Sequence, residues 1–264
     1  MHARALRVPW RAMTLVGVGA VVAVGCVTAG VLAATDSPVV PAQPWAVQGP
    51  VVVADLSVVR CPTSYGIARA RDVDLPARVK TQVSRALAGG VSVFTDGLGT
   101  VQVVAPSRWG CTALDSVSGS SRLVVYPPGS PRPTWGGVTT IAQGIEASQT
   151  GSCGGCSLEE ACPLFAAARH AYVATYRVAC ARASSPGERR TASAPWTVRF
   201  VDPPGVLGAG QPSGGGLAAY GVMLWRLPGA RHPTAWLDTC TLPVEDRQLC
   251  VLSVFAFLAR HPAA

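Results

Sequence analysis

The sequence predicts an α+β fold: a mainly antiparallel sheet with two or three helices, disulfide-bonded and preceded by an N-terminal transmembrane or signal helix. Segments typical of strands outnumber helical segments and do not alternate regularly with them, as they would in a parallel sheet. An uncharged apolar stretch lies near the N-terminus, and eight of the nine cysteines follow it. Glycine and proline, at 28 and 22 residues, indicate many turns.

The N-terminal segment, residues 1–34, has the order of charge and apolarity of an export signal. Three arginines, the last of them Arg11, precede an uncharged run over residues 12–35. That run exceeds the roughly 20 residues that a spanning helix needs, which favours a retained signal anchor. Small residues near its end favour a cleaved signal peptide, and a loose lipobox before Cys26 leaves lipidation open. We expect an extracytoplasmic protein that is membrane-anchored or secreted.

Two regions follow this segment. Residues 35–50 hold four prolines without periodicity, which predicts an extended linker. Residues 51–264 are enough for a buried core, and we interpret them as an extracytoplasmic, disulfide-bonded domain.

The first elements of the domain are predicted to be a strand and a helix. Residues 51–59 are rich in valine, which favours a strand. Residues 76–88 place Val79 and Val83 on one apolar stripe with helical spacing, and a pair of glycines follows them. This pattern predicts a helix.

A hairpin and a further strand come next. Residues 91–105 alternate around Asp96-Gly97, a pair that supplies the positive φ of tight turns and therefore predicts a hairpin. Residues 122–126 predict a short strand.

The longest helix is predicted over residues 157–180. Ser157 and Glu160 have the spacing of a capping box, and Pro163 indicates a restart of the helix. Four residues recur every four positions and predict one buried face: Ala168, Tyr172, Tyr176 and Cys180.

The remaining elements are three strands and a terminal helix. The strands are predicted at 196–201, 218–225 and 234–239. Residues 245–260 predict a helix that is apolar nearly all round from Leu249 onwards, so it should be a central, covered element.

The cysteines after the N-terminal segment predict a disulfide framework. They are Cys61, Cys111, Cys153, Cys156, Cys162, Cys180, Cys240 and Cys250. Locality pairs Cys240 with Cys250 across a short loop. Cys61 and Cys111 are the only two in the N-terminal half and are paired for that reason. The remaining four are predicted to pair among themselves.

Two alternatives to a structural disulfide concern Cys153-Gly-Gly-Cys156. One is a thiol-redox site, because a helix N-terminus would lower a thiol pKa. Against it, no predicted strand leads directly into the motif, as the thioredoxin arrangement requires. The other is zinc bound with Cys162 and Cys180, although the spacing fits no common zinc finger. We predict disulfides, no metal and no cofactor.

A glycine-rich stretch over residues 202–216 is the candidate binding segment. It begins with Asp202 and two prolines, and glycine is costly to order, so its density here indicates mobility or close approach of the backbone to a ligand. A strand rather than a helix is predicted after it, which argues against nucleotide binding. The candidate binding residues are Asp202, Gly208, Gly210, Ser213 and Gly214.

An alternative function is a secreted serine hydrolase. Ser213 would be the nucleophile and His232 the base, with Asp202 or Asp238 as the acid. No GxSxG elbow surrounds Ser213. We therefore expect a non-catalytic domain of the cell envelope that binds a ligand or a partner.

The charge of the chain adds a partner class. The net charge is +8, which favours attraction to an anionic cell-envelope polymer, and another envelope protein is a second option. The densest basic stretch, residues 182–190, has no interleaved aromatics, so nucleic acid is not expected. The membrane is expected as a partner through the N-terminal helix.

Several short motifs together resemble a family of exported actinobacterial proteins of unknown function. They are Trp109-Gly110-Cys111, Gly155-Cys156, Ala161-Cys162-Pro163, Asp202-Pro203-Pro204-Gly205-Val206, Pro212-Ser213-Gly214-Gly215 and Thr239-Cys240-Thr241-Leu242-Pro243. The resemblance covers most of residues 60–255 and carries over no catalytic residue. It implies that the stretch from Asp202 to Gly216 is more than a connection.

The disulfide framework gives a first testable prediction. Thiol titration of the denatured but unreduced domain should detect almost no free thiol, because export lets disulfides form and persist. Two or more reactive thiols at Cys153 and Cys156 would contradict the structural interpretation and favour the dithiol.

Overall fold

Two β-sheets and three α-helices make up the part of the chain that the computed structural model describes. The described residues are 43–66, 73–133, 143–151, 153–180, 185–210, 216–226 and 233–261. The N-terminal anchor or signal predicted for residues 1–34 lies outside them. Within the described residues, no helix has the length and apolarity needed to span a membrane.

The elements are named in chain order. The strands are β1 (Val51–Arg60), β2 (Thr63–Tyr65), β3 (Arg78–Ser84), β4 (Val91–Thr95), β5 (Gln102–Pro106), β6 (Gly110–Asp115), β7 (Ser121–Tyr126), β8 (Gly144–Thr150), β9 (Arg189–Ala194), β10 (Thr197–Asp202), β11 (Leu217–Arg226) and β12 (Thr234–Pro243). The helices are α1 (Gly154–Ala161), α2 (Ala166–Tyr176) and α3 (Arg247–Arg260), and a 3-10 turn at Val244–Asp246 leads into α3.

The strands form a four-stranded sheet and an eight-stranded sheet. The first has the order β3-β1-β4-β5, and the second has the order β2-β6-β7-β8-β12-β11-β10-β9. Neighbouring strands are antiparallel except for β1 with β4 and β2 with β6, which are parallel. The prediction of an α+β fold with a mainly antiparallel sheet is therefore confirmed.

The hydrophobic core has two parts, one on each face of the eight-stranded sheet. Tyr220 and Phe257 belong to the larger part, where α3 contacts β3, β5, β11 and β12. Phe165 and Trp225 belong to the smaller part, under α1 and α2. Side chains alternate along a strand, so β11 is buried on both faces.

The predicted helix over residues 76–88 is wrong, because this segment forms β3 and pairs with β1. Val79 and Val83 are four positions apart, a spacing that places two residues on one face of either a helix or a strand. Thr81, between them, is buried on the same face, which is the period of a strand. Three β-branched residues in alternation favour the extended form.

The predicted helix over residues 157–180 is two helices. Pro163 lies in the break between α1 and α2, as the restart required. The capping box is wrong, because α1 begins earlier with Cys153 as its N-cap residue, and Ser157 Oγ donates to the carbonyl of Pro233 at 2.6 Å. The predicted buried face is also wrong beyond Ala168, since Tyr176 is 45% exposed. Among the described residues, the longest helix is α3.

The other predicted strands, the hairpin and the central helix are confirmed. β4 and β5 pair as the hairpin, but the positive φ of its turn belongs to Gly99, at 72°. Asp96 is buried there instead, and its Oδ1 accepts from Val101 N at 3.3 Å. The strands β2, β6, β8 and β9 were not predicted.

All eight cysteines after residue 60 are paired: Cys61 with Cys111 and Cys240 with Cys250 as predicted, and the other four among themselves, where the sequence left the pairing open. The disulfides are Cys61–Cys111, Cys153–Cys156, Cys162–Cys180 and Cys240–Cys250. Four disulfides are consistent with an extracytoplasmic location.

The described part of the predicted linker lies against the domain. Arg247 of α3 is buried and donates to the carbonyl of Gln43 at 3.0 Å. Gln248 Nε2 donates to Ala46 O at 3.1 Å, and Trp45 meets Tyr220 edge-on with 6.0 Å between ring centroids. Residues 43–50 therefore do not extend away as a stalk, while residues 35–42 lie outside the described part.

The contact between β12 and α3 makes stability depend on pH. Asp238 is fully buried, and Ser253 Oγ donates to its Oδ2 at 3.2 Å. Burial raises the pKa of Asp238 to about 8, against about 3.9 in the unfolded chain. Between these values the folded state binds the extra proton, so this group's contribution to stability falls as pH rises.

Asp238→Asn should remove that dependence. The free energy of unfolding of the variant, relative to the parent, should rise by on the order of 1 kcal/mol per pH unit between pH 5 and 8. Denaturation in urea across this range measures it. The control is Asp55→Asn, since Asp55 is exposed and paired with Arg78. Equal slopes for both variants would contradict the assignment.

Candidate functional site

A large concave feature of the described residues is a groove between α3 and β3. β3 lies at the edge of the four-stranded sheet, so its outer side has no strand partner among the described residues. The groove has a volume of about 1000 Å³. It is lined by Val47, Val51, Val79, Lys80, Thr81, Gln82, Val83, Ser84, Arg199, Gln248, Leu252, Phe255, Ala256, Leu258, Ala259 and Arg260.

One stripe of α3 forms the apolar wall of the groove. Gln248, Leu252, Phe255 and Ala259 recur at steps of three and four, which places them on one face of the helix. The opposite wall is the run of six β3 residues, 79–84, which spans about 20 Å at the rise of a strand. The groove is therefore elongated and follows the helix axis.

Three cationic side chains line this groove, and none of the described lining residues is acidic. They come from three separate elements: Lys80 from β3, Arg199 from β10 and Arg260 from the end of α3. None of the three forms an ion pair with a described carboxylate. The groove is thus positively charged as well as apolar.

Arg199 is the least satisfied of these cations. Its guanidinium lies 4.9 Å from the ring centroid of Phe255 and 5.8 Å from that of Trp45. Its Nε is buried and has no hydrogen-bond partner among the described residues. Burial lowers the pKa of Arg199, because the charged form has lost water that no carboxylate replaces.

Arg260 differs because its hydrogen bonds are to neutral groups. Its Nη1 donates to Gln102 Oε1 at 2.5 Å and its Nη2 to Thr81 Oγ1 at 2.8 Å. Burial lowers the pKa of Arg260 as well. Neutral oxygens hold the side chain in place and leave its positive charge uncompensated.

The structure brings together the predicted residues Asp202, Gly208 and Gly210, away from this groove. Asp202 is fully buried at the end of β10, and its Oδ2 accepts from Gly210 N at 2.8 Å. Glu188 lies beside it and accepts from Ala209 N, while it also pairs with Arg190. Two carboxylates therefore hold the described part of the glycine-rich stretch.

Both glycines leave room for these carboxylates. A Cβ at Gly208 would meet Asp202 Oδ1 and Glu188 Oε2, and one at Gly210 would lie 2.8 Å from Asp202 Oδ2. Burial raises the pKa of Asp202 to about 7, the bond from Gly210 N lowers it, and the charge of Glu188 raises it. The described role of Asp202 is to anchor the loop.

The other predicted residues of the binding and hydrolase hypotheses cannot be placed with them. Ser213 and Gly214, in 211–215, and His232, in 227–232, lie outside the described residues. Asp238, the second candidate acid, lies under α3 beside Ser253. The serine hydrolase remains a prediction from sequence.

A second, smaller cleft lies on the opposite face of the eight-stranded sheet. It has a volume of about 270 Å³ and is lined by Cys156, Glu159, Glu160, Pro163, Ala209, Met223 and Leu237. The glycine-rich stretch borders this cleft through Ala209, not the larger groove. Among the described residues, no group of three or more His, Cys, Asp or Glu is placed to hold a metal ion.

The cations of the groove were not predicted from the sequence. Arg199 lies between the buried Val198 and Phe200 in β10, and a charge at such a position is a signal that sequence alone contains. That this charge lines a groove depends on the packing of β3 against α3, and these two elements lie more than a hundred residues apart in the chain.

Comparison of the chain with protein-family models, curated proteins and solved structures found no match. The function is therefore argued from the site, and the resemblance to exported actinobacterial proteins stays a prediction.

The packing of the glycine-rich stretch gives a testable prediction. Gly208→Ala should lower the free energy of unfolding by about 1–3 kcal/mol, because the new Cβ displaces the buried carboxylates of Asp202 and Glu188. Chemical denaturation measures this. Gly89→Ala is the control: nothing lies within 4 Å of its Cβ, so the change should stay within about 0.5 kcal/mol. Equal effects at both positions would contradict the packing argument.

Proposed function

We propose that this protein is an extracytoplasmic binding domain whose groove between α3 and β3 takes an anionic amphiphile, an apolar chain that carries a carboxylate or phosphate group. The observation that carries the proposal is Arg199. It is a half-buried guanidinium that lines the groove, with a buried Nε donor and no described hydrogen-bond or ion-pair partner.

The apolar part of the ligand follows from the walls. Most lining side chains are aliphatic or aromatic, and the volume of about 1000 Å³ is at the upper end of small-molecule sites. Val51 and Val47 at its rim are 51% and 38% exposed, so apolar surface remains in contact with water. A long apolar chain along α3 would cover this surface, at roughly 25 cal/mol per Å² of apolar area buried.

The anionic part follows from the charges. Buried cations are normally paired, because an isolated charge in a low dielectric is costly. Arg199 and Arg260 are partly buried and have no described acidic partner, so an anion from outside would supply the missing compensation, and the exposed Lys80 adds positive charge to the groove. A guanidinium binds carboxylate or phosphate through two parallel hydrogen bonds, which suits Arg199 with its open donors.

The compartment supports the same class of ligand. Extracytoplasmic proteins meet membrane lipids and anionic envelope polymers, and the positive net charge of +8 favours both. Of these two, an amphiphile fits better, because a fully polar polymer would leave the exposed side chains of Val47 and Val51 uncovered.

The proposal predicts binding of a fluorescent fatty acid, parinaric acid, by the unmodified protein. Palmitate should displace it, whereas hexadecanol, which has the same chain length without the charge, should displace it poorly. The charge-assisted hydrogen bonds are worth about 1.5–3 kcal/mol, so the two competitors should differ roughly tenfold or more in affinity. Equal displacement by both would overturn the anionic part of the proposal, and displacement by neither would overturn the site.

Arg199→Met should separate binding from stability. Methionine keeps apolar packing against Phe255 and Trp45 but removes the charge, so affinity for parinaric acid should fall roughly tenfold or more. The thermal midpoint of the unliganded variant should be unchanged or higher, because a buried charge without a partner is lost.

Arg108→Met is the matched control, since Arg108 is exposed and lies outside the groove. It should leave both binding and stability as they are. A large loss of thermal stability in Arg199→Met, with binding retained, would instead identify Arg199 as a structural cation.

A further inference from the structure

We propose that Cys153 and Cys156 form a redox-active disulfide that exchanges with the cysteine pair of a partner protein. This second site is independent of the groove, because Cys156 lines the small cleft on the opposite face of the eight-stranded sheet.

The first supporting observation is the order of the elements. β8 ends at Thr150, Cys153 follows after two residues, and α1 begins at Gly154. A strand therefore leads into the CxxC motif and a helix leaves it, which is the local order of elements around a redox CxxC, although both neighbours of β8 are antiparallel to it. This order of elements could not be recognised in the sequence, because β8 was not predicted.

The second observation is the position of the two sulfurs relative to the helix. Cys153 is the N-cap residue of α1, and its Sγ accepts from Cys156 N at 3.3 Å. A thiolate at this position would gain the same hydrogen bond and the positive end of the helix dipole. Cys153 is thus the better leaving group of the pair.

The third observation is exposure. Cys156 is an exposed residue, whereas each of the other three disulfides has at least one buried cysteine: Cys61 is 2% exposed, and Cys162, Cys240 and Cys250 are 0% exposed. Thiol–disulfide exchange needs in-line access to a sulfur. Cys156 is the one exposed cysteine among the eight described ones, and Cys111 and Cys180 are only partly exposed, so the Cys153–Cys156 disulfide offers the best access.

The fourth observation is the size of the loop. Cys153 and Cys156 are separated by 3 positions, against 10, 18 and 50 for the other disulfides. Stabilisation by a cross-link grows with the length of the loop that it closes. This disulfide therefore contributes least to the fold, and its reduction should leave the native structure intact.

The chemistry balances with one partner dithiol. A partner thiolate attacks Cys156 Sγ, the Cys153–Cys156 bond breaks, and Cys153 leaves as a thiolate that then takes up a proton. The second partner thiol, deprotonated, attacks the partner's sulfur in this mixed disulfide and releases Cys156, which is protonated in turn. The partner loses two electrons and two protons to form its disulfide, and the Cys153–Cys156 pair gains both.

The test uses the unmodified oxidised protein in glutathione buffers of increasing reducing power. Acid quenching, alkylation and peptide mass spectrometry then give the reduced fraction of each disulfide separately. Cys153–Cys156 should be half reduced at a glutathione ratio at least roughly tenfold less reducing than any other pair requires, with the circular dichroism spectrum unchanged. Reduction of all four together, or only on unfolding, would overturn the proposal.

Trapping tests the direction of exchange. The oxidised parent is treated briefly with reduced glutathione, quenched with acid and alkylated, and mass spectrometry should find glutathione on Cys156 at least roughly tenfold more often than on Cys153, because Cys156 is the exposed residue of the pair. Equal amounts on the two cysteines would overturn the assignment of Cys156 as the attacked sulfur.

A further readout tests for a role beyond structure. Alkylation of the reduced parent should report a pKa for the Cys153 thiol below the ordinary value of about 8.5. A pKa at or above 8.5 would contradict stabilisation of the thiolate by the helix. Binding of parinaric acid in the groove should not change on reduction, so failure of this proposal and failure of the proposed function are distinguishable.

Discussion

Helix α3 carries apolar side chains around most of its circumference, and no single sheet can cover such a helix. Two sheets therefore cover this helix. It contacts β3 and β5 of the four-stranded sheet and β11 and β12 of the eight-stranded sheet. The disulfide Cys240–Cys250 and the contact between Asp238 and Ser253 hold the helix to β12. Arg247 at its start binds the carbonyls of the segment before β1. Most of the larger core depends on this helix.

The groove is a consequence of how α3 is covered. β3 is an edge strand, so the stripe of α3 that includes Phe255 and Ala259 remains partly exposed to a ligand along one side. The cations there come from elements that meet only because of α3. Arg199 stacks on Phe255, and Arg260 is held by Thr81 and Gln102. Because the groove combines apolar walls with uncompensated positive charge, the proposed ligand is both apolar and anionic.

The opposite face of the eight-stranded sheet is organised by carboxylates and a disulfide instead. The carboxylates of Asp202 and Glu188 accept hydrogen bonds from the backbone N–H groups of Gly210 and Ala209. This stretch needs glycine because a Cβ at Gly208 or Gly210 would collide with these carboxylates. Ala209 then lines the cleft beside Cys156. The many glycines of this stretch indicated a site in the sequence. In the described part of the stretch, they let the backbone approach the buried carboxylates closely.

The sequence alone determined the features that depend on composition and on short separations: the α+β class, the strand at the start of the domain, the hairpin, the all-round apolar α3 and the pairing of Cys240 with Cys250. It misassigned β3, because Val79 and Val83 satisfy a helix and a strand equally, and pairing with β1 decides between them. It also missed β8, and with it the strand that leads into Cys153. Only the tertiary structure decided the groove, because Lys80, Arg199 and Arg260 are distant in the chain, and burial and charge compensation are properties of what surrounds a residue in space.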